Sequence, residues 1–331
     1  MRALVSGGAG FVGSHLVDLL LARGHAVTVV DNFVTGRPEN LRHITTRRLR
    51  LVRADVARTP HAAYDRIYHL ASPASPDAYS EIPVATLLTN AVGTRRLLEI
   101  ARRSHARFLL ASTSEVYGDP LEHPQRESYW GNVDPIGPRA AYDEGKRFAE
   151  ALTVAYVREY LVDARIARIF NAYGPRMRLD DGRMPAAFIV AALRGEPIPV
   201  HGDGAQTRSL CYVEDIARGL IAAMERGHAG EAYNIGRADE QSVLAFARLV
   251  RRATRSRSSI VFVAGRPQDI QRRRPDIRKA VRQLGWRPRT PLTAGLKRTI
   301  VWYRGRLAGG ARRSDASRHA PRAAALEAAQ R

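Results

Sequence analysis

Cysteine is all but missing. Cys211 is the single one in 331 residues, which excludes a disulfide-stapled scaffold and points to a reducing compartment. No run of about 18 uninterrupted apolar residues occurs, so a membrane-spanning helix is excluded. Met1 is followed within a few residues by text that reads as a first strand; neither a signal peptide nor a membrane anchor is expected, and the protein reads as cytoplasmic. The ten histidines and one cysteine show no ligand-like clustering, so no metal is expected. Lysine is scarce too: Lys146, Lys279 and Lys297 are the only three among 53 basic residues.

What is present is arginine, and its distribution matters more than the net charge of +21. The first 250 residues hold 31 of the 53 basic and 28 of the 32 acidic residues, a net of only +3, so the last 81 carry +18. Clustered charge of this kind supplies nonspecific affinity for nucleic acid and no more, and nucleic acid is not expected as the main partner. The length suggests about two structural units and suffices to bury most of the extended surface.

Over its first half the chain alternates short apolar runs with helical periodicity, the pattern of an α/β doubly wound parallel sheet covered by helices. The runs predict strands at 3–6, 26–30, 49–53, 67–71, 107–111 and 163–169, with helices at 12–23, 83–103 and 139–160. In such a sheet the ligand sits beyond the carboxyl ends of the strands. After Asn171, glycines and prolines break the text into short elements, which predicts a smaller C-terminal domain.

Three groups of residues carry chemistry. Gly7, Gly10 and Gly13 stand between the first strand and the first helix, where a glycine turn lets backbone approach a pyrophosphate and the helix start faces its charge. Asp31 ends the second strand 18 residues after Gly13, where a carboxylate accepts the ribose hydroxyls of NAD and repels the 2′-phosphate of NADP, although Arg37 nearby leaves NADP open. Tyr142 and Lys146 lie one helical turn apart on one face. A neighbouring ammonium would lower the tyrosine pKa and make it a base for a sugar hydroxyl. Arginine cannot readily share a proton, so a rare lysine here is informative. At the end of the fifth strand, Ser112, Thr113, Ser114 and Glu115 form a pocket floor in which hydroxyls reach a reacting sugar oxygen, and Glu115 reads either as a polarising carboxylate or as a helix cap.

With these residues in place, the chain resembles the extended short-chain dehydrogenases/reductases that act on nucleotide sugars, and within them the UDP-glucuronate decarboxylases. The resemblance covers about residues 1–304 and rests on HLASPASP from His69, STSEVYGDP from Ser112, YWGNVDPIGPRAAYDEGKR from Tyr129, RIFNAYGPRM from Arg168, QTRSLCYVED from Gln206 and RRRPDI from Arg272. It implies a Rossmann domain over 1–171 with returning segments near 205–235 and a UDP-sugar domain over 172–304; from its composition, the basic arginine- and alanine-rich tail over 305–331 is expected to be weakly helical or partly disordered. For NAD it implies Gly7, Gly10, Phe11 and Val12 at the pyrophosphate and Asp31, Asn32, Phe33, Thr35 and Gly36 at the adenosine ribose. Asp55 and Val56 then lie beside adenine, and Leu70, Ala71 and Ser72 line the cofactor. Tyr142 becomes the base with Lys146 its partner, Thr113, Ser114 and Glu115 surround the sugar, and Asn171, Arg208 and Arg273 hold UDP. The helices at 83–103 and 139–160 resemble the pair through which the family forms homodimers.

The resemblance further implies a cycle: oxidation at C4, loss of carbon dioxide β to the resulting ketone, protonation at C5 and hydride return. UDP-glucuronate is then the substrate and UDP-xylose the product. The competing chemistries are a 4-epimerase, a 4,6-dehydratase, and an NAD- or RNA-binding protein without turnover. Ser114 followed by Glu115 favours decarboxylation, because related dehydratases usually carry Asp-Glu there and epimerases lack the acid. Three departures from the pattern are His201, the Leu179–Asp180 loop and the basic tail.

Overall fold

A computed structural model describes residues 1–265 and 270–311. The first half runs β1 (Arg2–Ser6), α1 (Phe11–Ala22), β2 (Ala26–Asp31), β3 (Leu49–Arg53), β4 (Arg66–His69), α2 (Pro76–Glu81), α3 (Pro83–Leu88), α4 (Thr94–Ser104), β5 (Arg107–Thr113), α5 (Ala140–Tyr160) and β6 (Ala164–Ile169). Shorter elements follow: β7 (Ala172–Tyr173), α6 (Met184–Arg194), β8 (Ile198–His201), β9 (Thr207–Arg208), β10 (Cys211–Tyr212), α7 (Val213–Arg226) and β11 (Ala232–Ile235). The described chain closes with β12 (Gln241–Ser242), α8 (Val243–Thr254), β13 (Ile260–Val263), β14 (Arg272–Arg273), α9 (Arg278–Leu284) and α10 (Leu292–Ala311).

Seven strands form one parallel sheet in the order β11-β6-β5-β4-β1-β2-β3. The chain winds outward from β1 to β3 and then returns to the other side of β1 with β4, which opens a crevice at the carboxyl ends of β1 and β4. Central strands of a parallel sheet need apolar residues on both faces, and Phe108, Leu109 and Leu110 in β5 are fully buried. Residues of α1 and α7 pack on one face and those of α4 and α5 on the other. A second core joins α6, α8 and α10 through Phe188, Phe246, Leu296, Ile300 and Tyr303.

Several boundaries differ from those the pattern predicts. The strand expected over 67–71 ends at His69, and the fifth strand continues to Thr113. The helix expected over 83–103 is interrupted by one turn of π-helix at Thr89–Gly93, where buried Asn90 donates to Thr86 O (2.9 Å) and to Ser72 Oγ (3.1 Å). The final helix runs past Gly305 to Ala311; residues 312–331 lie outside the described residues. No helix among the described residues is long and apolar enough to cross a membrane.

Candidate active site

A cleft of about 820 Å³ lies over the carboxyl ends of the central strands. Of the residues singled out from the sequence, Gly7, Gly10, Phe11, Val12, Asp31, Asn32, Thr35, Gly36, Asp55, Val56, Leu70, Ala71 and Ser72 line its nucleotide end. Thr113, Ser114, Glu115, Tyr142, Lys146, Asn171, Arg208 and Arg273 line the rest. Phe33 is the exception: its ring packs against the apolar cluster under α1, and its backbone N–H serves the site by donating to Asp31 Oδ1 (2.9 Å).

The nucleotide end is made largely of backbone. Gly7 has φ +70°, and a Cβ on it would stand 2.7 Å from the backbone nitrogen of Ala71, so only glycine lets β1 turn this close to the exit of β4. Gly10 caps α1 with no side-chain hydrogen bond and no acid in the first turn, which leaves the positive helix start facing the cleft. Asp31, buried at the tip of β2, is held by the N–H groups of Ala9 (3.0 Å) and Phe33. Burial raises its carboxyl pKa and the two N–H bonds oppose the rise. Asn32 donates to Asp55 Oδ2 (3.2 Å), tying the second and third strand ends together. Arg37, the residue that left NADP open, turns instead to Asp180 Oδ1 (3.3 Å). This surround fits a dinucleotide: a glycine cradle without side chains, an uncapped helix start for a pyrophosphate, and a fixed carboxylate one strand away for ribose hydroxyls.

At the other end side chains dominate. Tyr142 and Lys146 sit in the first two turns of α5 and both are buried. Tyr142 stacks on Tyr79 of α2, with ring centroids 5.0 Å apart and planes within 5°. Burial pushes the Tyr142 hydroxyl up, a hydrogen bond with Thr113 eases the rise, and the charge of Glu115 adds to it. The Lys146 ammonium lies 6.0 Å from the Tyr142 ring centroid and donates to Ala111 O (2.9 Å). Burial brings its pKa down to about 8, with Glu150 pulling the other way. Ser112 also lines the cleft, and its hydroxyl donates to Glu150 Oε1 (2.5 Å).

Glu115 is the most heavily paired carboxylate of the cleft. Arg273 grips both of its oxygens, one by a short bond and Oε2 at 2.8 Å, and Arg139 adds a short bond to Oε2. Burial favours its neutral form, but Arg273 and Arg139 outweigh it and hold the carboxyl well below the usual range. Arg273, expected at UDP, therefore pairs with Glu115. Asn171 offers a buried amide nitrogen with no hydrogen-bond partner among the described residues, a group made for a ligand. Sequence reasoning missed Arg139, Asp143 and Tyr79. The first two flank Tyr142 at helical spacing and were open to a search for i, i+4 charges, whereas nothing local marks Tyr79.

Residues 3–236 match the model of the NAD dependent epimerase/dehydratase family. The chain is 52% identical over 304 residues to UDP-glucuronic acid decarboxylase 1 of Xenopus tropicalis, covering 92% of this chain and 72% of that protein. It is 52% identical over 308 residues to UDP-glucuronic acid decarboxylase 1 of Arabidopsis thaliana, covering 93% and 71%. Among solved structures, the dTDP-glucose 4,6-dehydratase of Streptomyces venezuelae with NAD bound superposes with a TM-score of 0.85 at 32% identity, covering 93% of this chain and 98% of that one.

Proposed function

The chain belongs to the NAD dependent epimerase/dehydratase family, and from that premise we propose that it decarboxylates UDP-glucuronate to UDP-xylose, with NAD as a recycled cofactor. The observation that carries the reading is the pairing of Glu115 with Arg273 and Arg139 beside Tyr142, which supplies two guanidiniums suited to a uronate carboxylate. NAD bound at the glycine cradle would accept a hydride from C4 of the sugar and later return it.

The roles then fall to residues of this chain. Asn171 and Arg208 hold the uridine diphosphate, the first through its unpartnered amide and the second by charge. Tyr142 takes the proton of the C4 hydroxyl, guided by Thr113 and with Ser114 beside the sugar, and Lys146 supplies positive charge that favours the phenolate. Arg139 and Arg273 hold the C5 carboxylate next to Glu115. Once C4 is a ketone, the bond from C5 to the carboxylate can break. Its electron pair passes into the enolate, carbon dioxide leaves, and a proton adds at C5 before reduction restores the C4 hydroxyl.

Two further readings accompany this one. We propose a homodimer through α3 and α5, because Val84, Leu87, Leu88 and Val92 expose an apolar stripe at helical spacing beside exposed Phe148 of α5. The cytoplasm is the compartment in keeping with a lone, buried, unpaired Cys211.

The test is mass spectrometry of purified protein incubated with UDP-glucuronate and NAD. A product lighter by one carbon dioxide, without net NADH, supports the proposal. Loss of water points to a dehydratase, and an isomer of unchanged mass to an epimerase. Unaltered substrate by mass and by chromatography overturns catalysis on this sugar.

A further inference from the structure

The sugar end of the cleft holds one more acid than its ion pairs use well. Asp143 follows Tyr142 in the first turn of α5, is 4% exposed and stands behind the cleft wall, next to Arg139. Its Oδ2 meets Arg139 Nε at 3.4 Å, near the long limit of a hydrogen bond, and its Oδ1 is buried with no partner among the described residues. An ionised carboxylate left in that condition forfeits most of its solvation, whereas a neutral carboxylic acid loses far less. Glu115 shows the contrast, with both oxygens gripped by guanidiniums.

The titratable groups facing Asp143 are Glu115 from the turn after β5, Arg139 at the cap of α5, Arg273 from β14, Tyr142 on its own helix and Tyr79 from α2. Burial, and then the charge of Glu115, raise the Asp143 carboxyl out of the usual range toward neutrality, against the pull of Arg139 and Arg273. Charge counting gives the consequence. Arg139 and Arg273 contribute two positive charges and Glu115 one negative. An ionised Asp143 fills the remaining place, and a neutral one leaves it open.

We propose that Asp143 is a specificity-determining positioning residue that works uncharged, and so keeps a place on Arg139 and Arg273 open for the carboxylate of a uronate substrate. It acts through Arg139 and touches no reacting atom. The inference rests on the uronate reading above and deepens it, by naming what makes the pocket prefer an acid sugar to its neutral counterpart.

The experiment is calorimetric titration of the NAD-loaded protein with UDP-glucuronate and, separately, with UDP-glucose, which carries a hydroxymethyl group in place of the carboxylate. Groups that serve both ligands cancel in the ratio of the two affinities. Between about pH 6 and about pH 8.5 the preference of the wild-type protein for UDP-glucuronate should fall about tenfold, as Asp143 ionises and a like charge meets the substrate. Asp143→Asn keeps the shape without titrating and should hold the low-pH preference at both values. A wild-type preference that stays flat across this range overturns the role of Asp143 and leaves the uronate reading standing. Equal binding of the two sugars at both pH values overturns that reading and this proposal together. A fall that the asparagine variant shows equally is that of Lys146, whose ammonium loses its proton in the same range, and overturns the role of Asp143.

Discussion

The two ends of the cleft are built in opposite ways. At the nucleotide end the ligand-facing surface is mostly backbone, drawn from neighbouring stretches between Gly7 and Ser72 at the tips of four adjacent strands. At the sugar end it is side-chain charge, and its central pair joins Glu115 to Arg273, 158 residues away. Backbone surfaces tolerate exchanged side chains and fail when a Cβ intrudes. Charge clusters tolerate small backbone shifts and fail when one partner leaves, because the other stays buried and uncompensated. The dinucleotide end of such a site can therefore remain constant while the other end sets the chemistry.

The largest effect falls on the side-chain end. Tyr142→Phe removes the hydroxyl proposed to take the C4 proton, and turnover of UDP-glucuronate should fall by roughly 10²–10⁴-fold while NAD binding stays within about threefold. Initial rates with a parallel NAD titration separate the two; a variant retaining a tenth of the wild-type rate would remove Tyr142 from the chemistry.

Next comes Arg273→Ala, with an expected loss on the order of 10²-fold in kcat/KM. It carries a pH signature as well. Glu115 ionises in the folded protein at lower pH than in the unfolded chain, so its pairing adds stability above the ordinary carboxylate range and loses it as the pH falls below that range. The alanine variant should therefore unfold at higher pH on acid titration. An unchanged acid midpoint would mean that Arg139 alone holds Glu115.

At the nucleotide end, Gly7→Ala forces a positive φ and a contact at 2.7 Å on a residue with a Cβ, a strain of about 1–3 kcal/mol. NAD affinity should drop about tenfold or more, with UDP-glucuronate binding less affected; equal losses for both ligands would show that the two ends are coupled. The smallest effect is expected for Phe33→Leu. Its ring faces the apolar cluster and not the cleft, so NAD affinity should stay within about twofold. A larger loss would put that ring on the cofactor.

Much of this architecture could be read in advance, for a physical reason. A strand buried on both faces needs a continuous apolar run, and a helix on one needs 3.6-residue periodicity, so the order of β1 to β6 is written in local text. The glycine loop is legible because only glycine satisfies its geometry, and Tyr142 and Lys146 because one helical turn is a fixed spacing. The seventh strand, Ala232–Ile235, carries no such local mark: it is a short run among many, and its place beside β6 comes from a long return of the chain. Asn171, Arg208 and Arg273 entered through family resemblance, since no periodicity singles out one arginine among so many.

The state of each charged group was the least legible feature. Sequence spacing placed Lys146 beside Tyr142, yet burial raises the tyrosine and lowers the lysine, and the ammonium turns to Ala111 O. Arg139 and Asp143 were printed on either side of Tyr142, but their significance depends on Glu115, which arrives from another strand. Local order along the chain thus sufficed for the sheet, the dinucleotide loop and the helical turn of the base, because steric and periodic constraints act between near neighbours. Which charges are paired, which are left short, and which acid is pushed toward its neutral form followed from folding alone, because solvation and Coulomb energies depend on distances between residues that the chain brings together from far apart.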